Sequence, residues 1–475
     1  MKRLLGLSIC ALGLLAAAQA HVAPVPLSPE VRRTAAQLRD GILGGSRAVD
    51  WVRDITDLAG PRLPGSPGDR AGVAVGLAIL KAQGFANVRA EKAVVKVWQR
   101  GLETGEVTAP APQMLVLTAL GGSIATPEGG LEGEIVRVES VEELAGKADA
   151  VRGKIAFLDR PTARTSDGSG YGTAGTVRSR GPSAASKAGA IGFLMRSIGT
   201  DDGRMPHTGG MRYEKDVTPI PAAALASADA ALLTRLSRRG PVRVRFTLTC
   251  RTLPDAESAN VIGEIPGREA PGEIVLLGAH LDSWDLGTGA LDDAAGCGIV
   301  IEAARQIGAL PARPRRTVRV VLFANEENGL AGGKAYAADH ATELDRHVVA
   351  LESDLGQGPP LGFWWLAGPR AEGLLKSVAA LLSPISADTL TPADEGGADL
   401  IPLIPSGVPQ LGMALDATTY FDYHHTANDT FDRIDSKILD RSTAAVAVAA
   451  YVLAETPQTL ERVPVSKRVL PEWVK

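Results

Sequence analysis

The 475-residue sequence predicts an α/β fold, a mostly parallel central sheet flanked by helices, carrying a β-rich insert. Apolar runs at Ile274–Ala279, Val318–Ala324, Val348–Leu351 and Gln410–Leu415 have the length and the prevailing hydrophobicity of buried parallel strands, one of them interrupted by Arg319 and another opened by Gln410. Helix-like stretches accompany them, above all Ser28–Gln83 and Ala294–Gly308. A segment of different character, about 126–246, predicts the insert. It holds short strands at Gly133–Val138 and Lys154–Leu158, a helix-like Ala184–Gly189 leading to Ala190–Leu194, and the apolar Ile220–Leu225.

In chain order, residues 1–20 read as a cleaved secretory signal. Lys2-Arg3 opens it, an apolar run follows from Leu4 to Ala18, and Ala18-Gln19-Ala20 gives a small-residue cleavage pattern before His21. The run is too short to span a membrane, and Ile9 before Cys10 disfavours lipoprotein processing. A secreted or periplasmic protein is therefore expected. Losing Lys2 and Arg3 moves the formal charge from −4 to −6, which disfavours nucleic acid as a partner.

The remaining chain exceeds the usual size of one domain. Residues 21–125 and 247–475 are expected to form one discontinuous domain, with 126–246 as the insert; no internal repeat is found. Gly168-Ser-Gly-Tyr-Gly-Thr-Ala-Gly175 shows neither the strand-to-helix junction nor the lysine of a phosphate cradle, so it reads as a flexible loop near the cleft. Cys250 and Cys297 remain after processing. Cys297 is expected to be a small buried thiol in the Ala294–Gly308 helix, with a Cys250–Cys297 bridge the less favoured reading. The tail beyond Glu455 is polar and Pro-interrupted.

Five short stretches carry metal-binding side chains: Gly278-Ala-His-Leu-Asp282, Leu291-Asp-Asp293, Asn325-Glu-Glu-Asn328, Glu352-Ser-Asp354 and His424-His-Thr426. Three directly follow predicted strands and a fourth strand leads towards His425. In an open parallel sheet such positions converge in the crevice beyond the strands' carboxyl ends. Imidazoles with carboxylates and no thiolate suit zinc in a catalytic site, whereas calcium and magnesium favour all-oxygen shells. A two-metal centre needs one bridging carboxylate and two further ligands for each ion. His280, Asp292, Glu327, Asp354 and His425 supply that number and leave Glu326 free as general base. Singly, His280 or the Glu326-Glu327 pair would read as a cap or a solvated charge; the ordered set gives them weight.

The strings His280-Leu-Asp-Ser-Trp-Asp285, Gly289-Ala-Leu-Asp-Asp-Ala-Ala-Gly296, Asn325-Glu-Glu-Asn-Gly329, Glu352-Ser-Asp354 and His425-Thr-Ala-Asn-Asp-Thr430 resemble the di-zinc exopeptidase family of bacterial leucyl aminopeptidases and glutamate carboxypeptidases. The likeness is greatest to its carboxypeptidase Q-like branch, and extends to Gly60-Pro-Arg-Leu-Pro-Gly-Ser66. It implies a zinc-exopeptidase, phosphorylase/hydrolase-like fold with an inserted protease-associated domain, and two Zn2+ ions per chain. His280 and Asp354 would hold one ion, Glu327 and His425 the other, and Asp292 would bridge them, with a cis peptide expected at Asp292–Asp293. Glu326 would carry the proton from water to the leaving amine. Asp282 would orient His280 through its second ring nitrogen. His424 stands where several relatives place an oxyanion-stabilising tyrosine. Asp399 resembles an aspartate of the substrate side, and Asp429 with Thr430 would fix the loop after His425.

The resemblance also implies short peptides with a free amino terminus as substrates, and a homodimer. Within the family, action at the carboxyl terminus is an alternative polarity. A glutaminyl cyclase-like acyl transfer and a non-catalytic binding role are alternatives of other classes, and the full ligand set with Glu326 argues against both.

Overall fold

In a computed structural model the described residues are 22–471 and Val474, so the expected signal, residues 1–20, lies outside them. Eight strands form the first sheet, in the order Ala86–Gln99, Arg251–Ile265, Arg316–Phe323, Ala270–His280, His347–Glu352, Gln410–Leu415, Pro360–Leu366, Thr389–Pro392. The four central strands, Arg316–Phe323 through Gln410–Leu415, run parallel, and antiparallel neighbours close both sides.

Strand side chains alternate between faces, so an unbroken apolar run is stable only when both faces are covered. Val275, Leu277, Ala279, Val318, Val320, Leu322, Val349 and Leu351 enter one core with the helices Pro29–Leu43, Ala48–Ala59, Ala295–Gly308 and Ser436–Glu455. Ile274, Leu276, Val321, Phe323 and Ala350 face the other way, against Tyr336, Leu400 and Leu403. Leu277 is fully buried, and trimming such a residue to alanine costs about 2–5 kcal/mol. Two of these helices begin on side-chain caps: Ser28 accepts from the Val31 amide, and Asp435 from the amides of Lys437 and Ile438.

Residues 103–248 build a second eight-stranded sheet, ordered Gln113–Leu115, Glu103–Ala109, Arg243–Leu248, Leu131–Val138, Ile155–Leu158, Gly192–Arg196, Ala222–Leu225, Leu117–Ala119. It therefore starts before residue 126. The strand Glu103–Ala109 pairs antiparallel with Arg243–Leu248, a partner distant in sequence that local patterning does not reveal. The long antiparallel pair Ala86–Gln99 and Arg251–Ile265 carries the chain out of the first sheet and back.

Residues 169–175, expected as loop, begin the helix Ser169–Lys187. Glycine and serine lower helix propensity, but Ala174, Val177 and Ala185 bury into the second core, and packing overrides a weak local preference. Cys250 and Cys297 are both free and buried, each thiol donating to a backbone carbonyl, of Ser123 and His280 respectively. Among the described residues no helix is long and apolar enough to cross a membrane.

Candidate metal centre

His280 ends its strand, Glu326 and Glu327 follow Arg316–Phe323, Asp354 follows His347–Glu352, and the His424-His425 pair lies past Gln410–Leu415. Asp292 stands on the turn before helix Ala295–Gly308, and the Asp292–Asp293 peptide is cis. All these residues meet beyond the carboxyl ends of the four parallel strands.

The carboxylate of Asp292 lies between two sets of partners. Its Oδ1 is 3.1 Å from His280 Nε2, which is 3.3 Å from Asp354 Oδ1. Its Oδ2 is 3.1 Å from His425 Nε2, itself 3.1 Å from Glu327 Oε2. Two overlapping clusters, His280–Asp292–Asp354 and Asp292–His424–His425, are each compact enough to hold an ion. Asp292 Oδ2 and Glu327 Oε1 are buried with no hydrogen-bond partner. A buried carboxylate oxygen without a partner is costly unless a cation neutralises it, so this donor set fits zinc.

The ring tautomers suit ligation. His280 Nδ1 faces the backbone carbonyl of Asp282 at 3.0 Å and His425 Nδ1 that of Thr208 at 3.3 Å. An Nδ1–H donated to a carbonyl leaves each Nε2 lone pair pointing into the cluster. The Asp282 carboxylate also faces the His280 ring, its Oδ1 3.7 Å from His280 Nδ1. It accepts the backbone N–H groups of Glu326 at 2.9 Å and Glu327 at 3.4 Å, fixing both glutamates at once.

Burial and the charges of Asp354 and Glu327 push Glu326 well above the ordinary carboxylate range, although His280 opposes them. Burial and the Asp292 charge do the same to Glu327. Burial also works against Asp292, yet His424, His280 and His425 hold its carboxyl well below the usual range. Burial opposes the charged His280 ring, but the Asp354 charge and its hydrogen bonds hold it well above the ordinary value. His424 is pushed well below its ordinary value by burial and the His425 charge. Its ring stacks on His425 at 3.5 Å between centroids, and Tyr171, Tyr420 and Phe421 surround it. His424 Nε2 reaches within 3.4 Å of Asp292 Oδ2, so the neutral ring stands beside the ligands.

Supporting residues that the sequence left without a role surround the cluster. Trp284 Nε1 donates to Glu327 Oε2 at 2.6 Å. The fully buried Arg62 guanidinium donates to the carbonyls of Leu281 at 2.6 Å, Thr288 at 2.5 Å and Gly289 at 2.8 Å, stapling the loop between His280 and Asp292. Both lie inside strings that carried the family resemblance, which was the available signal. Asp429 accepts from the amides of Leu291 and Asp292, so it fixes the Asp292 turn as well as its own loop. Gly296 is required by close approach, since a Cβ there would stand 2.1 Å from the Ser353 carbonyl oxygen. Asp399 is fully buried with both carboxylate oxygens unpartnered, while its amide donates to Glu352.

A family model described as Peptidase family M28 matches residues 260–450. Carboxypeptidase Q of Mus musculus is 34% identical over 418 residues, covering 88% of this chain and 87% of its own. The crystal structure of a peptidase M28 precursor from Shewanella amazonensis SB2B aligns with a TM-score of 0.89 at 43% identity, covering 92% of this chain and 99% of that one. A zinc aminopeptidase from Bacillus subtilis shares the fold at a TM-score of 0.62 and 21% identity, covering 88% of this chain and 97% of its own. With its candidate metal cluster inside the matched segment and the likeness spanning nearly the whole chain, this protein belongs to peptidase family M28, the zinc-dependent peptidases.

Proposed function

We propose that this protein is an exported di-zinc exopeptidase hydrolysing dipeptides or short peptides that bear a free amino terminus. The observation that carries the reading is Asp292, whose two oxygens face separate sets of imidazole and carboxylate ligands. His280 and Asp354 would hold one ion, His425 and Glu327 the other, and Asp292 both. Glu327 is preferred to His424 as ligand because its buried, unpartnered Oε1 requires a cation while its Oε2 lies 3.1 Å from His425 Nε2. Residues 103–248 would serve as a protease-associated-like domain covering one side of the cleft.

Zinc held by these residues would supply Lewis-acid polarisation of the scissile carbonyl and a lowered pKa for water. Glu326, partly exposed beside the ligands, takes the proton of the attacking water and delivers it to the leaving amine nitrogen. Asp282 keeps that carboxylate in place through the Glu326 backbone. His424 contributes its Nε2 to the developing oxyanion.

The test is hydrolysis of one apolar dipeptide and its N-acetylated counterpart by the zinc-loaded protein, with and without chelator. Chelator-sensitive cleavage of the free amine alone is expected. Cleavage of the blocked compound would indicate carboxypeptidase polarity, and inactivity on both would reject the exopeptidase reading.

A further inference from the structure

A cation without a counter-charge stands beside the histidine pair. Arg178 lies on the helix Ser169–Lys187, and its Nη1 donates to the phenolic oxygen of Tyr171 at 2.8 Å. Its Nε is buried with no hydrogen-bond partner, and among the described residues it forms no ion pair. Tyr171 supplies no charge, since burial pushes its phenol up to about 12. The same ring stacks on Phe421 at 4.5 Å and meets His424 edge-on at 4.8 Å, which ties Arg178 to the wall of the metal centre.

A second set of contacts places it there independently. A Cβ on Gly209 would lie 2.2 Å from Arg178 Nη1, so the guanidinium packs directly on that backbone. The residues on either side of Gly209 touch the ligands. The Thr208 amide donates to the His425 carbonyl at 3.0 Å, and a Cβ on Gly210 would lie 3.0 Å from the Glu327 carbonyl oxygen.

A half-buried guanidinium facing histidines and a neutral phenol is unfavourable until an anion arrives, and its planar fork matches a carboxylate. One extended residue spans at most about 3.6 Å. In a dipeptide, therefore, the terminal carboxylate lies one residue past the scissile carbonyl; in a longer peptide it is carried away. We propose that Arg178, held by Tyr171, forms a carboxylate subsite for the residue following the scissile bond, so that the enzyme selects dipeptides over longer or amidated chains. The proposal rests on the free-amino-terminus reading above.

The experiment compares a dipeptide with its C-terminal amide, on zinc-loaded wild type, Arg178→Met and Tyr171→Phe, with melting temperature and zinc content measured for each. Wild type should favour the free acid by roughly 10- to 100-fold in kcat/KM, expressed mainly in KM, as for a charge-assisted hydrogen bond. In Arg178→Met the acid-to-amide ratio should collapse to about one. Tyr171→Phe, which keeps the ring, should fall between the two. A purely structural role would depress both substrates together and keep the ratio. A wild-type ratio near one, or an undiminished ratio in a normally folded Arg178→Met, overturns the proposal. Calorimetric titration with the same two compounds separates this inference from the catalytic reading. Acid-selective binding that Arg178→Met abolishes, without hydrolysis of either compound, supports the subsite while rejecting the exopeptidase; binding without acid preference rejects the subsite.

Discussion

Glu326→Gln isolates proton transfer from everything else the centre does. The contacts that position residue 326 belong to its backbone: its amide donates to Asp282 Oδ1 at 2.9 Å, and its carbonyl accepts from Gly329 at 3.1 Å and Leu330 at 3.3 Å. Glutamine is isosteric and keeps all three. Because burial and the Asp354 charge disfavour the ionised acid, the neutral amide should leave the metal-free melting temperature equal or slightly higher. What disappears is the base. General-base assistance contributes roughly 10²- to 10⁴-fold, or about 3–5 kcal/mol of transition-state stabilisation. The assay is kcat on a free-amine dipeptide at saturating zinc, with metal content and melting temperature in parallel. A folded, zinc-replete variant within about tenfold of wild type would show that another group moves the proton. Loss of zinc would instead make Glu326 a ligand.

Asp354→Ala removes one partner of the His280 side of the cluster, so zinc content should drop to roughly one ion per chain; unchanged content by atomic emission would take Asp354 out of the ligand set. In Asp282→Asn the two amides of Glu326 and Glu327 meet one carbonyl oxygen and one competing NH2 group. A loss of about 10- to 100-fold in kcat or zinc affinity is expected, and wild-type values for both would mean that Asp282 does not set glutamate geometry. Chelated protein should have a melting temperature that falls as pH rises above the ordinary carboxylate range. Glu326, Glu327, Glu352 and Asp399 are all held well above their ordinary values, chiefly by burial. The folded state thus binds more protons than the unfolded chain above the ordinary carboxylate pKa, and stability declines through the window up to the raised values. Zinc, which binds deprotonated ligands more tightly as pH rises, should flatten or reverse that slope. A chelated melting temperature rising across the same range would contradict the charge assignment.

The parallel strands were legible because each is buried on both faces, which forces a largely apolar run, as at Ile274–Ala279. The positions of His280, Glu326, Glu327 and Asp354 were legible as polar groups abutting such runs. Contacts between distant segments were not. Nothing local to Arg62 announces that it staples residues 281–289, and nothing in Glu103–Ala109 announces its pairing with Arg243–Leu248. The helix Ser169–Lys187 was misread for a related reason: its small residues carry weak propensity, and the core that stabilises it is assembled from other strands. Asp282 faces His280 Nδ1 with both its carbonyl and its carboxylate, and the carboxylate also accepts the glutamate amides, a further contact that spacing does not encode.

The second-sheet unit also takes part in building the metal centre. His425 has a left-handed backbone, φ +63, which costs a non-glycine residue about 1–3 kcal/mol unless its surroundings impose it. The imposing contacts come from residues 200–208. The Thr208 amide donates to the His425 carbonyl at 3.0 Å and the Thr208 carbonyl faces His425 Nδ1 at 3.3 Å. His207 Nδ1 meets the His424 carbonyl at 2.7 Å while its Nε2 meets Asp201 at 2.7 Å, and the Thr200 amide donates to the Phe421 carbonyl at 3.0 Å. His280, Glu327 and Asp354 stand at or near strand ends, but His424 and His425 stand on a long loop that needs an external clamp. Because the clamp and Arg178 belong to the same unit, any shift of that unit relative to the first sheet would move the proposed substrate carboxylate contact and the His424–His425 pair together. If the proposed subsite and ligand set hold, substrate selection and metal geometry are coupled through one set of backbone hydrogen bonds.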